Sequence, residues 1–102
     1  SLGARVILAK CYYHLRDLDG LESSIHAFGI WLRRNKQISG YQRKVHLNLL
    51  TVMKKIAVLR ATRSLYNDQE FEQKTDLIRK RLEKGEITNI SWVRIEVDSL
   101  EK

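Results

Sequence analysis

The sequence predicts an all-α domain of about five antiparallel helices. Three observations point there. Apolar residues recur every three or four positions almost throughout, which is the period of a helix face and not of a strand. The 102 residues contain no proline and only five glycines, too few breakers for a many-stranded fold. The interruptions in the pattern carry helix-start and helix-stop residues.

The first helix is expected from Leu2 to Arg16, with Val6, Leu8, Ala9, Tyr12, Tyr13 and Leu15 as its apolar set. The second is expected over Gly20 to Arg34, where Leu21, Ile25, Phe28 and Leu32 form one stripe. Asp19-Gly-Leu-Glu22 reads as its capping box. The third, Gly40 to Thr62, opens on Ser39-Gly-Tyr-Gln42 and buries Val45, Leu49, Val52, Ile56 and Leu59. It carries a second apolar row, Leu47, Leu50, Val58 and Ala61, so it is expected between neighbours on both sides. The fourth, Asp68 to Lys84, starts from an Asn67-Asp-Gln-Glu70 box, presents Phe71, Thr75, Ile78 and Leu82, and stops at Gly85. The last runs from Ile90 to Leu100 behind an Asn89 cap. Its ISWVRIEVD stretch also alternates, but a lone strand would have no partner, so a helix is expected. Connections of roughly three to six residues favour antiparallel neighbours.

Length and a 43% hydrophobic content suit one domain, residues 1–102, with a core that needs no staples. Cys11 is the one cysteine and has no internal disulfide partner, which favours a reducing, cytoplasmic setting. No apolar run reaches the roughly 18 residues that span a bilayer, so no membrane partner is expected. The opening Ser1-Leu2-Gly3-Ala4, without an initiator Met, reads as a piece excised from a longer protein.

Charge is the most informative feature. Residues 1–63 hold twelve Lys/Arg against three Asp/Glu, and residues 64–102 hold seven against nine. No carboxylate occurs between Glu22 and Asp68. Arg33 and Arg34 fall in the last turn of the second helix, where cations complement the helix dipole. Arg43 and Lys44 fall in the first turn of the third, where they oppose it. Lys54 and Lys55 continue that helix, and Arg60 and Arg63 close it. The cations that the dipole does not explain need a partner, or carboxylates of the acidic half such as Glu70, Glu72, Asp76, Glu83, Glu96 and Asp98. Trp31 and Tyr41 flank the basic turn, as anchors on a binding surface or as staples between two helices.

Leu8, Ala9 and Tyr12, followed by Asp17 in a turn and Ile25 on the next helix, resemble a tetratricopeptide (TPR) hairpin. Arg16 stands where the turn usually has glycine, Leu21 and Phe28 stand at usually small positions, and Arg33 stands near the usual terminal proline. A long helix, a short charged helix and a Trp-bearing last helix are similar to the C-terminal end of bacterial TPR proteins. The resemblance implies an α-solenoid fragment, with a hairpin over 1–35 and a long helix plus capping helices over 40–102. It further implies a scaffold that binds protein, including a missing N-terminal part of its own chain.

Little here suggests catalysis. Cys11 and His14 lie i, i+3 on one helix, but a structural zinc wants four ligands, and only His26 and His46 remain, on other helices. A free cysteine is more simply a small buried hydrophobe. Glu70, Glu72 and Asp76 complement a helix start, with Glu70 and Lys74 as an i, i+4 pair. There is no phosphate-cradling glycine loop, no HExxH and no nucleophile elbow. No catalytic residue, metal or cofactor is assigned. The expected role is a noncatalytic protein-interaction module that takes an acidic segment on Arg33, Arg34, Arg43, Lys44, Lys54, Lys55, Trp31 and Tyr41. The alternatives are a nucleic-acid-binding domain using the basic face of 33–63, or a purely structural C-terminal cap of an array.

Overall fold

The computed structural model describes residues 1–102 and contains five α-helices and no strand. They are α1 (Leu2–His14), α2 (Leu18–Arg34), α3 (Gly40–Ala61), α4 (Asp68–Glu83) and α5 (Ile90–Leu100), with a short 3-10 turn over Arg63–Leu65. The all-α expectation and all five helices hold, including the last one. In α5 Val93 and Val97 are buried while Ile95 between them is 61% exposed, whereas a strand would turn all three to one side.

The connections fold each helix back along its predecessor. α1 packs on α2 and α2 on α3, while α4 and α5 pack on each other and both on α3. The 22-residue α3 is therefore the central element, with Leu49, Val52, Met53 and Ile56 almost wholly enclosed. One apolar core draws on every helix, from Val6 and Tyr13 through Leu21, Phe28 and Leu32 to Phe71, Leu82, Val93 and Val97. Each such side chain contributes roughly 1.5–3 kcal/mol by leaving water.

Helix ends follow their chemistry, with two corrections. Ser39 accepts from the Gln42 amide at 3.1 Å, and Asn67 and Glu70 form a complete reciprocal box. Gly85 has φ +70, the left-handed stop that glycine permits. At α2 the cap is Asp17 and not Asp19. Its carboxylate accepts from the Gly20 amide at 2.9 Å, because the left-handed Arg16 (φ 56) already completes the turn and lets the helix begin at Leu18. Asn89 holds the position before α5 but makes no side-chain cap. Its backbone is left-handed (φ 57), and its side-chain oxygen instead accepts from Lys10 Nζ at 2.7 Å, a charge-assisted bond that ties α5 to α1.

Three further expectations are revised. Leu8 on α1 and Leu15 just past its end point to solvent with Ile7, because the inner side of α1 is filled by Val6, Ala9 and Tyr13. Cys11 shares that outer side and is exposed rather than buried. Glu70 and Lys74 are not an ion pair. Glu70 is engaged in the capping box, and Lys74 lies over the Tyr66 ring at 4.7 Å.

Candidate functional site: a cation-rimmed groove over α3

The second apolar row of α3 is covered only in part: Leu50 is buried in the core, while Leu47 is half-buried and Val58 is 36% exposed. α2 and α4 stand on either side of the row, and the space between them is an open groove of about 760 Å³. The helical period places one stripe from each helix there: Ile25, Gly29 and Arg33 from α2; Leu47, Leu50, Lys54 and Val58 from α3; and Lys74, Leu77, Ile78 and Arg81 from α4. Leu47, Leu50 and Val58 form an aliphatic floor. Leu77, 67% exposed, stands on the α4 wall with nothing packed over it. Around this floor the ionisable groups are His26, Arg33, Lys54, Lys55, Lys74, Arg81 and the Tyr66 phenol, and no carboxylate lines the groove.

Arg33 is folded back along its own helix, where Gly29 leaves room for the guanidinium. A Cβ at position 29 would sit 3.0 Å from Arg33 Nη1. Lys54 and Lys55 have no carboxylate within ion-pair distance. Cations held above an apolar floor are attracted to any anion that excludes water from that floor, because lower effective permittivity strengthens the pairing.

The remaining basic residues divide by what holds them. Arg43 reaches back to the end of α2, where Nε donates to the Leu32 carbonyl and Nη2 to the Asn35 carbonyl, both at 2.9 Å. A cation that opposes the dipole of its own helix thereby satisfies the carboxyl end of the preceding one. Arg60 does the same for α1, donating to the Tyr13 carbonyl while its guanidinium lies 3.9 Å from the Tyr13 ring centre. Lys44 pairs with Glu86, and the hydrogen bond and charge of Lys44 hold the Glu86 carboxyl below its ordinary range. Arg63 pairs with Asp68 and caps the Tyr66 carbonyl. Arg33, Arg34, Lys36, Lys54 and Lys55 are left without a carboxylate. The acidic half thus neutralises little of the basic centre. Two of its carboxylates, Asp98 and Glu101, instead clamp Arg79 and lock α4 to α5.

Of the residues singled out in the sequence, the groove brings together Arg33, Lys54 and Lys55. Arg34 is exposed outside it. Trp31 joins helices, lying beside Phe28 with Arg5 4.7 Å above its ring. Tyr41 is 64% exposed and away from the groove. Leu77 and Arg81 were not expected in a site, Lys74 was expected only as the partner of Glu70, and Leu47, Leu50 and Val58 only as a second row packed between neighbours. That row was the signal for the floor: Leu50 is packed as expected, while Leu47 and Val58 stay partly open.

Elsewhere the polar groups serve the fold. His46 is buried beside Phe28, with Nδ1 2.7 Å from the Gln42 carbonyl. His14 receives the Trp92 indole N–H at 3.4 Å. No three His, Cys, Asp or Glu side chains come together. No helix is long and apolar enough to cross a membrane. Set against protein-family models, curated proteins and solved structures, the chain matches none.

Proposed function

We propose that this domain is a noncatalytic interaction module that docks a polypeptide segment of another protein in the groove over α3. The observation that carries this reading is the combination of a partly open aliphatic floor with a rim of cations and no carboxylate. Burying the exposed parts of Ile25, Leu47, Val58 and Leu77 supplies the affinity, and the rim selects the sign of the partner's charge.

Arg33, Arg34, Lys36, Lys54 and Lys55, which neither a carboxylate nor the end of another helix holds, favour a second reading, nucleic-acid binding through phosphates. The floor argues against it, since phosphates gain nothing from leucines. α3 also spends nine residues on the core, and its open side is recessed between α2 and α4, where it cannot enter a major groove. A structural cap is the third reading, and it requires no ligand at all.

Selection of displayed random peptides against the domain tests the leading reading. Enriched peptides should compete with one another and lose binding to the Leu77→Glu variant, whose exposed position leaves the core intact. No enrichment, or enriched peptides indifferent to Leu77→Glu, contradicts docking in this groove.

A further inference from the structure

Resting on the docking reading just given, we propose that the occupant of the groove is an acidic amphipathic α-helix of a separate partner protein. It lies along α3 between α2 and α4. Shape, backbone chemistry and charge each narrow the choice.

A β-strand occupant needs a sheet edge with unpaired N–H and C=O groups, and this all-helical chain has none. A polyproline segment needs aromatic rails. The groove floor is aliphatic, and Tyr66 is the one aromatic residue among its walls. A phosphorylated segment is read by clustered arginines, whereas the cations here are dispersed over three helices and are mostly lysines. A helix fits what remains. The lining of α3 runs from Leu47 to Thr62, which at 1.5 Å per residue is about 22 Å, or about four turns of an occupant lying alongside it. Such an occupant completes the packing left open at Leu47 and Val58 of α3, Ile25 of α2 and Leu77 of α4, as one helix's side-chain ridge fills another's groove.

Charge fixes the flanks of that occupant. Arg33 stands on the α2 wall, Lys54 and Lys55 on α3, and Lys74 and Arg81 on the α4 wall. A helix with apolar residues on its inner stripe meets cations on both sides of that stripe, so both of its flanks carry Asp or Glu. Leu77, exposed and flanked by Lys74 and Arg81 one turn to each side, is where the apolar anchor and the acidic flank are read together.

The test uses the full 102-residue chain and fluorescent peptides of about 16 residues. One peptide has leucines at helical spacing flanked by glutamates. A second scrambles the same composition so that no stripe forms. A third replaces the glutamates with lysines. Anisotropy is read at about 50 and about 200 mM salt, with circular dichroism of the mixtures. The striped acidic peptide should bind and gain helix on binding. The scramble and the lysine peptide should bind about tenfold more weakly or worse, and so should the striped peptide to Leu77→Glu or to Lys54→Glu/Lys55→Glu. Both variants should keep the parent's circular dichroism and melting midpoint. Equal binding of the scramble, equal binding of the lysine peptide, or displacement of the striped peptide by mixed-sequence duplex DNA overturns the proposal. If the striped peptide fails while a selected peptide still binds in a Leu77-dependent way, the occupant is wrong and the docking reading stands. If neither binds, both fall.

Discussion

Arg43 illustrates how a residue's meaning depends on what the fold brings beside it. In the chain it is a cation at the wrong end of a helix. In the fold it closes the Leu32 and Asn35 carbonyls at the end of α2. Arg43→Ala should cost about 1.5 kcal/mol in urea unfolding, since hydrogen bonds from a charged donor are among the stronger ones. Arg43→Lys should recover only part, because an ammonium cannot reproduce the fork. The opposite sign is expected at Arg16, a non-glycine residue in the left-handed region. Arg16→Gly removes that backbone penalty and should raise stability by about 0.5 kcal/mol, after the extra unfolded-state freedom of glycine is counted.

Glu86 supplies the pH dependence at this scale. Its folded pKa lies below its unfolded value because of Lys44, so the pair's stabilisation is present above the ordinary glutamate range and disappears as pH falls through the lowered value. Melting midpoints of the parent and Glu86→Gln should therefore differ near neutral pH and converge in acid, and the difference should shrink with salt. Tyr13 acts at the other extreme. Burial raises its pKa, opposed in part by Arg60, so its stabilisation is lost as pH rises above the ordinary tyrosine range. A spectroscopic titration should show one of the four tyrosines ionising late.

At the scale of the element, period and caps carried nearly all the information. The stripe of α2, the long stripe of α3 and the Asn67 box of α4 were legible because each is local, set by residues three or four apart. Three of the errors share a cause, since each depended on something remote in the chain, unlike the α2 cap, which the neighbouring Arg16 moved from Asp19 to Asp17. Asn89 looked like a cap until Lys10 competed for its oxygen. Lys44 looked free until Glu86, in the loop between α4 and α5, came beside it. Leu8 and Leu15 looked like core until α1 turned its other side inward. The central position of α3 has a measurable consequence. Ile56→Ala, at a fully enclosed site, should cost about 3 kcal/mol, whereas Val58→Ala, on the open groove side two residues on, should cost under about 1 kcal/mol. Chemical denaturation of the two variants gives the comparison directly.

For the whole molecule, the long acid-free stretch has a divided explanation. Arg43 and Arg60 hold helix ends, and Lys44 and Arg63 meet carboxylates. Arg33, Lys54 and Lys55 border the groove together with Lys74 and Arg81 from the acidic half of the chain. No composition count separates these groups, because the division is made by packing. The groove itself exists because α2 and α4 flank α3 on one side with no further helix over Leu47 and Val58. Both the interaction reading and the acidic-helix occupant depend on that open side being a docking surface.

Amide chemical-shift mapping of the domain with the striped acidic peptide tests this most directly, because it reports location as well as binding. Perturbations are predicted along Leu47 to Thr62 of α3 and on the facing stripes of α2 and α4, around Gly29 and Leu77. Shifts confined to the outer side of α1 or to α5, or no shifts at peptide concentrations that saturate anisotropy, would contradict the account.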